Sequence, residues 1–512
     1  MNTKEQTLPR TWGTLIIGAG FSGLGMAVRL KQSGIDDLVI LERASEVGGT
    51  WRDTRYPGAA CDVPSILYSY SFAPNPQWSR SFSPGAEIQD YILHVTQRHE
   101  LRRHIVFGQC VTSMSFDQCE GVWTVTTAQG KGYRARSVVN ASGPLSNASF
   151  PAMPGIELYQ GHKVLSAQWD SGYDFKGKRV AVIGTGASAV QIVPELVKVA
   201  AKVKVFQRTP GWVLPRLDQP TSERRRDWFQ RWPWLQTATR LALFWLYEST
   251  ALGIVWTSPL TRVFEWAAKR HLHRQVRDPW LRRQLLPTYR MGCKRILLSS
   301  DYFPALQKSN CELVTWPIDR LCEEGIRTCD GLIHQFDCMV FATGYDVSST
   351  QARLPMAITD LGGRRLQDDW SSLVQAYKST TISGYPNLYW MLGPNGGPGH
   401  HSALLYIESQ INYAAQGIGL LLNDNLAYLD VREEVQMRFN IDIQDRLKRT
   451  NWNSGCKSWY LTKDGKNPSM FPGFATQFDR QLREFDQRNY RLVEASSQGL
   501  KRGAGTTQAV AR

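Results

Sequence analysis

Gly18, Gly20 and Gly23 follow the apolar run Leu15-Ile16-Ile17 in the spacing Gly-x-Gly-x-x-Gly, with Phe21 and Ser22 inside the turn and a helical pattern beyond it. Each glycine answers a separate need: a tight turn at Gly18, close approach of backbone to a pyrophosphate at Gly20, and close packing of helix on strand at Gly23. The free N–H groups at the start of the helix then face the anion. A second apolar run, 38–41, ends at Glu42, whose carboxylate can accept a hydrogen bond from an unmodified ribose 2′-hydroxyl. Gly184, Thr185, Gly186, Ala187, Ser188 and Ala189 repeat the construction after the run 179–183. Arg208 lies 24 residues beyond Gly184, as Glu42 lies 24 beyond Gly18. An acid at that position suits a free ribose hydroxyl, while an arginine suits a 2′-phosphate. The two fingerprints therefore predict FAD in the first unit and NADPH in the second.

Strand, glycine turn, helix and strand, found twice, set the fold class as α/β with two Rossmann-like dinucleotide-binding domains. About 165 residues separate the units, too many for two halves of one sheet. Segments 135–144 (ARSVVNASGP) and 337–346 (DCMVFATGYD) read as further strands running into glycine turns. The expected division has four parts. Residues 1–150 form the first part of an FAD domain, and 151–330 form an NADP domain with a helical insertion at 215–290. Residues 331–495 return to the FAD domain, and the small, polar stretch 496–512 is a disordered tail.

Composition removes several classes. Hydrophobic residues at 42% exclude wholesale disorder. No charge-free apolar run reaches the length of about 18 residues needed to span a bilayer, and the N-terminus lacks the apolar core of a signal peptide. Nine cysteines without a Cys-x-x-Cys pair argue against a disulfide framework and against a metal site, and fit the cytoplasm. For the same reason Cys61 is not expected to act as half of a redox disulfide. Charge is uneven: residues 201–300 hold 19 Lys and Arg against 6 Asp and Glu, a local excess of +13 in a chain of net +15. The insertion interleaves these cations with tryptophans. It reads as a helical subdomain that lines a substrate pocket and draws in NADPH. Peripheral membrane contact is the second reading, and nucleic acid is set aside. Nothing in the sequence sets an oligomeric state.

With GGTW (48–51), RYPGAACDVPS (55–65), FQRTP (206–210), GCKR (292–295) and ATGY (342–345), the chain resembles the type I Baeyer–Villiger monooxygenases over about residues 12–475. These FAD- and NADPH-dependent flavoproteins are related to the flavin-containing monooxygenases. The resemblance implies that NADPH reduces FAD and the reduced flavin takes up O2. One oxygen atom then enters beside a ketone carbonyl, giving an ester or lactone. It implies Arg295 as the fixed active-site cation, Asp62 as the carboxylate that orients it, and Lys294 beside Arg208 and Thr209 on the 2′-phosphate. It further implies Thr50, Trp51, Asp53, Tyr68 and the backbone of Val111 on FAD. Ala60, Cys61 and Asp62 would touch NADP, and Trp459 would stand over the nicotinamide side of the pocket. Aliphatic ketones are the expected substrates, from the apolar aromatics around the insertion.

The chain departs from the family in two places. The linker signature carries Leu165 where the family has histidine, with His162 three places early, and the loop after Trp459 reads Leu461-Thr462-Lys463-Asp464-Gly465 in place of Gly-Ala-Asn. His400 and His401, after a glycine-rich loop, read as structural groups. The alternatives are an N- or S-hydroxylating flavin-containing monooxygenase, which would not need Arg295, and an FAD-binding electron-transfer or scaffold protein.

Overall fold

The computed structural model describes residues 10–495 apart from 146–147, 345–353, 373, 425, 457 and 463. The expected tail over 496–512 and Tyr345 of the ATGY segment lie outside the described residues.

Strand β1 (Thr11–Ile17) leads into helix α1 (Phe21–Gln32) and strand β2 (Leu38–Leu41). The inner residues of β1 and all of β2 are buried on both faces, which is why they read as unbroken apolar runs. The two strands pair in parallel with Ile17 opposite Leu41, so Gly18 and Glu42 emerge side by side at the carboxyl edge of the sheet. Helices α2 (Thr50–Asp53) and α3 (Gly85–Arg98) follow, then β3 (Ile105–Val106), β4 (Val111–Asp117), β5 (Val122–Thr127) and β6 (Gly132–Asn140). β3 extends the sheet beside β2, and β6 lies parallel to β1 on its other side. β4, β5 and β6 form an antiparallel meander.

The second sheet begins with β7 (His162–Leu165), β8 (Arg179–Ile183), helix α4 (Ala189–Val199) and β9 (Lys202–Phe206). After β10 (Val213–Leu214) come four helices, α5 (Glu223–Arg231), α6 (Pro233–Ile254), α7 (Pro259–Gln275) and α8 (Pro279–Leu285). Their starts are written in the sequence. Ser222, Ser258 and Asp278 cap α5, α7 and α8 with side-chain oxygens, and proline opens α6, α7 and α8. β11 (Leu297–Leu298) closes the excursion by pairing in parallel with β10. β12 (Cys311–Val314) joins the second sheet. β13 (Ile318–Cys322), β14 (Gly325–Thr328) and β15 (Ile333–Gln335) make a small antiparallel sheet.

β16 (Cys338–Phe341) corrects the expected boundary at 331. It pairs in parallel with both β7 and β8, so it is a central strand of the second sheet, in the order β12-β9-β8-β16-β7. Its outline matches that of β6 because each does the same job in its own sheet. The Ala-Ser-Gly turn after β6 backs Gly18, and the Ala-Thr-Gly turn after β16 backs Gly184. A Cβ on those glycines would lie 2.8 Å from Ala141 O and 2.5 Å from Ala342 O.

Residues beyond 354 complete the first sheet. β17 (Ala357–Thr359) pairs with β4, and β18 (Thr381–Ile382) pairs with β19 (Tyr385–Trp390), which lies parallel to β6. The helix Ala403–Asn423 then buries Ile407, Ile411 and Ala414 in one core with Leu24, Ala27 and Val28 of α1.

Candidate active site

The first glycine turn is held from three sides. Gly23 could carry no side chain, since its Cβ would meet Gly18 O at 1.9 Å. Glu42 is buried, accepts from Ala19 N at 2.8 Å and Ala44 N at 2.9 Å, and is paired with Arg52 Nη1 at 3.0 Å. Arg52 also forks onto Asp53, at 2.8 and 2.9 Å. Sequence reading passed over Arg52, although a cation three places after the Gly48-Gly49 pair was a usable signal. Gly20 abuts Gly49, with the Cβ of either within 3.2–3.7 Å of the other's Cα, so the two glycine segments form one backbone cradle. Thr50 is exposed at its edge. Trp51 Nε1 donates to Tyr68 Oη at 3.0 Å, and Phe21 meets the Tyr68 ring edge-on at 5.5 Å. Ser22 is buried in the first turn of α1. Val111 opens β4 with its side chain in the core and its backbone opposite Thr127.

The second turn is more open. Gly186 and Ala187 are exposed, and a Cβ on Gly186 would meet nothing within 4 Å. Thr185 Oγ1 donates to Thr209 O at 3.1 Å, tying the turn to the segment that follows β9. Lys294 stands over the Tyr289 ring at 5.0 Å. Burial lowers its pKa, and the nearby charge of Arg208 lowers it further, so two cations converge where the sequence placed an anion.

The RYPGA segment joins the two turns. Gln191 of α4 donates from Nε2 to Ala60 O at 2.9 Å, and Tyr56 Oη donates to Gln191 Oε1 at 2.9 Å. Gly58 has φ +79°, and a Cβ there would lie 2.8 Å from Gln191 O. Cys61 N bonds Ser83 O, and no helix starts at Val63-Pro64-Ser65, so Asp62 is not a helix cap. Arg295 instead donates from Nε to Asp62 Oδ2 at 3.0 Å, and Nη2 bonds the same oxygen. β11 fixes Arg295, since Leu297 N bonds Trp212 O just outside β10. The Arg295 side chain keeps 54% exposure although protein surrounds it, which is the environment of a cleft wall. Asp62 holds the guanidinium above its already high range.

Neighbouring groups stay protonated. Burial and then the Asp62 charge push the Cys61 thiol up, and burial pushes the Tyr68 phenol up. Burial pushes Tyr247 of α6 and Tyr460 up to about 12, Arg295 pulling Tyr460 the other way. Tyr460 is buried, while Trp459 is 48% exposed and lies against it at 4.2 Å between centroids. The sequence pointed to the tryptophan and missed the tyrosine that feels both charges of the ion pair.

One further expectation changes, that of unpaired cysteines. Cys293, immediately before Lys294, is disulfide-bonded to Cys456, three residues before Trp459. A separation of 163 residues hides such a pair from any local spacing rule. His400 and His401 are buried, with His400 Nε2 3.0 Å from Glu248 Oε2 of α6. Burial would raise the Glu248 pKa, but bonds from His400, Thr476 and Ala475 hold its carboxyl down at about 2. In the linker, Leu165 is packed in a core with Ile183 and Phe341. His162 stacks on Tyr173 at 4.1 Å and pairs with Asp170 at 3.1 Å.

A family model described as pyridine nucleotide-disulphide oxidoreductase matches residues 15–222. Within that span Cys61, Cys110 and Cys119 are free. A Baeyer-Villiger monooxygenase of Pseudomonas aeruginosa is 42% identical over 93% of this chain and 91% of its own length. One of Streptomyces coelicolor is 42% identical over 93% and 92%. Among solved structures, an oxidized steroid monooxygenase bound to NADP superposes with a TM-score of 0.84 at 29% identity, covering 95% of this chain and all of its own. A cyclohexanone monooxygenase from Rhodococcus sp. Phi1, bound to NADP+, gives 0.85 at 26% identity with the same coverage.

Proposed function

The chain belongs to the Baeyer–Villiger monooxygenases, and from that premise we propose that it inserts one oxygen atom from O2 beside the carbonyl of an aliphatic ketone, with FAD on the first sheet and NADPH on the second. The observation that carries this reading is the Arg295–Asp62 ion pair, reached from both sheets at the segment that links the two glycine turns.

The residues fit both nucleotides. The Gly20–Gly49 cradle, Glu42 with Arg52, and Trp51 with Tyr68 suit FAD. The open Gly186 turn and the Arg208, Thr209 and Lys294 group suit a nucleotide with a 2′-phosphate. When bound, FAD supplies the activation of O2 and NADPH the reducing electrons. Arg295 remains protonated across the working pH range, so its charge needs no proton donor. Asp62 aims that guanidinium and leaves Nη1 free of the pair to face negative charge developing on the substrate oxygen. Cys61, held as the thiol, does not compete as a nucleophile. Tyr247 and Tyr460, which both feel the Asp62 charge, put aromatic side chains beside the ion pair that favour an apolar ketone. We assign the FAD domain to the residues of the first sheet, the NADP domain to 151 through β16 with α5–α8 inserted, and the cytoplasm as the place of action.

The test is product mass analysis with NADPH, air and a panel of linear and cyclic ketones. Ester or lactone one oxygen heavier than substrate supports the reading. NADPH oxidation with no oxygenated ketone product overturns it.

A further inference from the structure

Helix α6 is built inside out. Its two charged residues, Arg240 and Glu248, point into the protein: Arg240 donates to Ile66 O and Ser69 Oγ, and Glu248 accepts from Thr476 and Ala475. Its solvent face carries Trp234, Leu241, Trp245, Leu246 and Leu252, at 49–65% exposure. Positions 234, 238, 241, 245, 249 and 252 recur at three and four residues and are all exposed, so they form one stripe without a charged side chain. At 1.5 Å per residue the stripe runs about 27 Å. Trp266 is 60% exposed on the adjoining α7, with Arg270 over its ring. The helices that pack beside α6 carry exposed cations: Arg224 and Arg231 on α5, Arg262, Lys269 and Arg270 on α7. No helix among the described residues is long and apolar enough to cross a membrane.

We propose that this surface docks on an anionic lipid bilayer, with α6 lying in the plane of the interface. An uncharged aromatic stripe beside helices that carry exposed cations matches both parts of such a surface: tryptophan and leucine enter the headgroup–acyl boundary, and arginine and lysine meet the anionic headgroups. The exposed cations of α5 and α7 supply the charge complementarity. A second copy is a poorer occupant, because a two-fold contact would press the cations of α5 and α7 against their own copies. Nucleic acid would satisfy the cations and leave the stripe facing water.

The test is flotation of the holoenzyme with vesicles of phosphatidylcholine alone and of phosphatidylcholine with phosphatidylglycerol, at physiological salt. Binding to the anionic vesicles is expected, weakening as salt rises. Trp245→Glu and Leu241→Glu should each lower it roughly ten-fold or more, with flavin content and turnover of a water-soluble ketone unchanged. Trp266→Glu on α7 provides the same readout should an α6 variant lose flavin. The proposal fails if neither vesicle retains the enzyme, if the variants bind as the wild type does, or if the variants instead break up a dimer seen by size exclusion. Failure here leaves the oxygenation reading untouched, since the assay for that needs no lipid.

Discussion

Arg295 Nε donates to Asp62 Oδ2 at 3.0 Å across a sequence separation of 233 residues. The pair exists because two otherwise unrelated local features converge. β10 and β11 close the helical excursion and fix the GCKR segment, and the Gln191–Ala60 bond holds the RYPGA segment against α4. Arg295→Ala should lower ketone oxygenation at least roughly 100-fold, in the range for loss of one fixed oxyanion partner, while NADPH still bleaches the flavin under nitrogen. Arg295→Lys should recover little, since an ammonium lacks the planar fork. Oxygenation near the wild-type rate in the alanine variant would remove Arg295 from the chemistry and favour the hydroxylating alternative.

Arg208 and Lys294 share one electrostatic neighbourhood. Each charge-assisted bond to a 2′-phosphate is worth about 1.5–3 kcal/mol. Arg208→Ala should therefore raise the NADPH KM roughly ten- to hundred-fold, leave the NADH KM nearly unchanged, and narrow the preference. Steady-state kinetics with both nucleotides measures this, and an unchanged preference would place phosphate recognition elsewhere.

Gly58 combines φ +79° with a backbone oxygen 2.8 Å from where a Cβ would stand. Gly58→Ala should cost roughly 1–3 kcal/mol and should loosen the segment that carries Asp62. A lower Tm together with a reduced kcat is expected. A Tm and kcat equal to wild type would mean the two turns are not coupled through this residue.

His401 gives stability a defined pH dependence. Burial, with the charge of His400, pushes its imidazole down to about 4, consistent with Nε2 donating to Phe244 O and Nδ1 accepting from Ser402 N. The unfolded chain protonates this group near 6.5 and the fold does so only near 4, so between those values the unfolded state holds more protons. Stability from this residue is full above 6.5 and falls as pH drops toward 4, by on the order of 3 kcal/mol. Glu248, depressed to about 2, acts in the same sense below 4.5. Urea midpoints across pH 7 to 4 should show a shallower decline in His401→Gln than in wild type, and parallel declines would refute the assignment.

The Cys293–Cys456 bond leaves seven of the nine cysteines free. Thiol titration of denatured protein without reductant should count seven, rising to nine after reduction. Nine at the outset would show the two thiols to be unlinked. Because the bond joins the segments of Arg295 and Trp459, Cys293→Ser should lower kcat more than it raises the NADPH KM.

The nucleotide turns were legible locally because recognition there depends on residues at fixed offsets from a strand end: Gly18, Gly20, Gly23 and Glu42 in one unit, Gly184, Gly186 and Arg208 in the other. Such a pattern needs about thirty residues and no distant partner. The same locality explains what failed. A buried strand ending in a glycine turn suits either sheet equally, so 338–341 could not be allotted until its hydrogen bonds to β7 and β8 were seen. Gln191, Tyr460 and the partner of Cys293 act across distances that composition does not encode. The outward apolar face of α6 likewise follows from which side its neighbours cover: Arg240 and Glu248 find partners on the inner side, and Trp234, Leu241, Trp245 and Leu252 are left to solvent. Residue type and spacing could name the two nucleotides, while Arg295 was reached only through the resemblance to a family. Packing of non-local segments alone could say which groups surround them, because a contact is a property of two pieces of chain and not of either one.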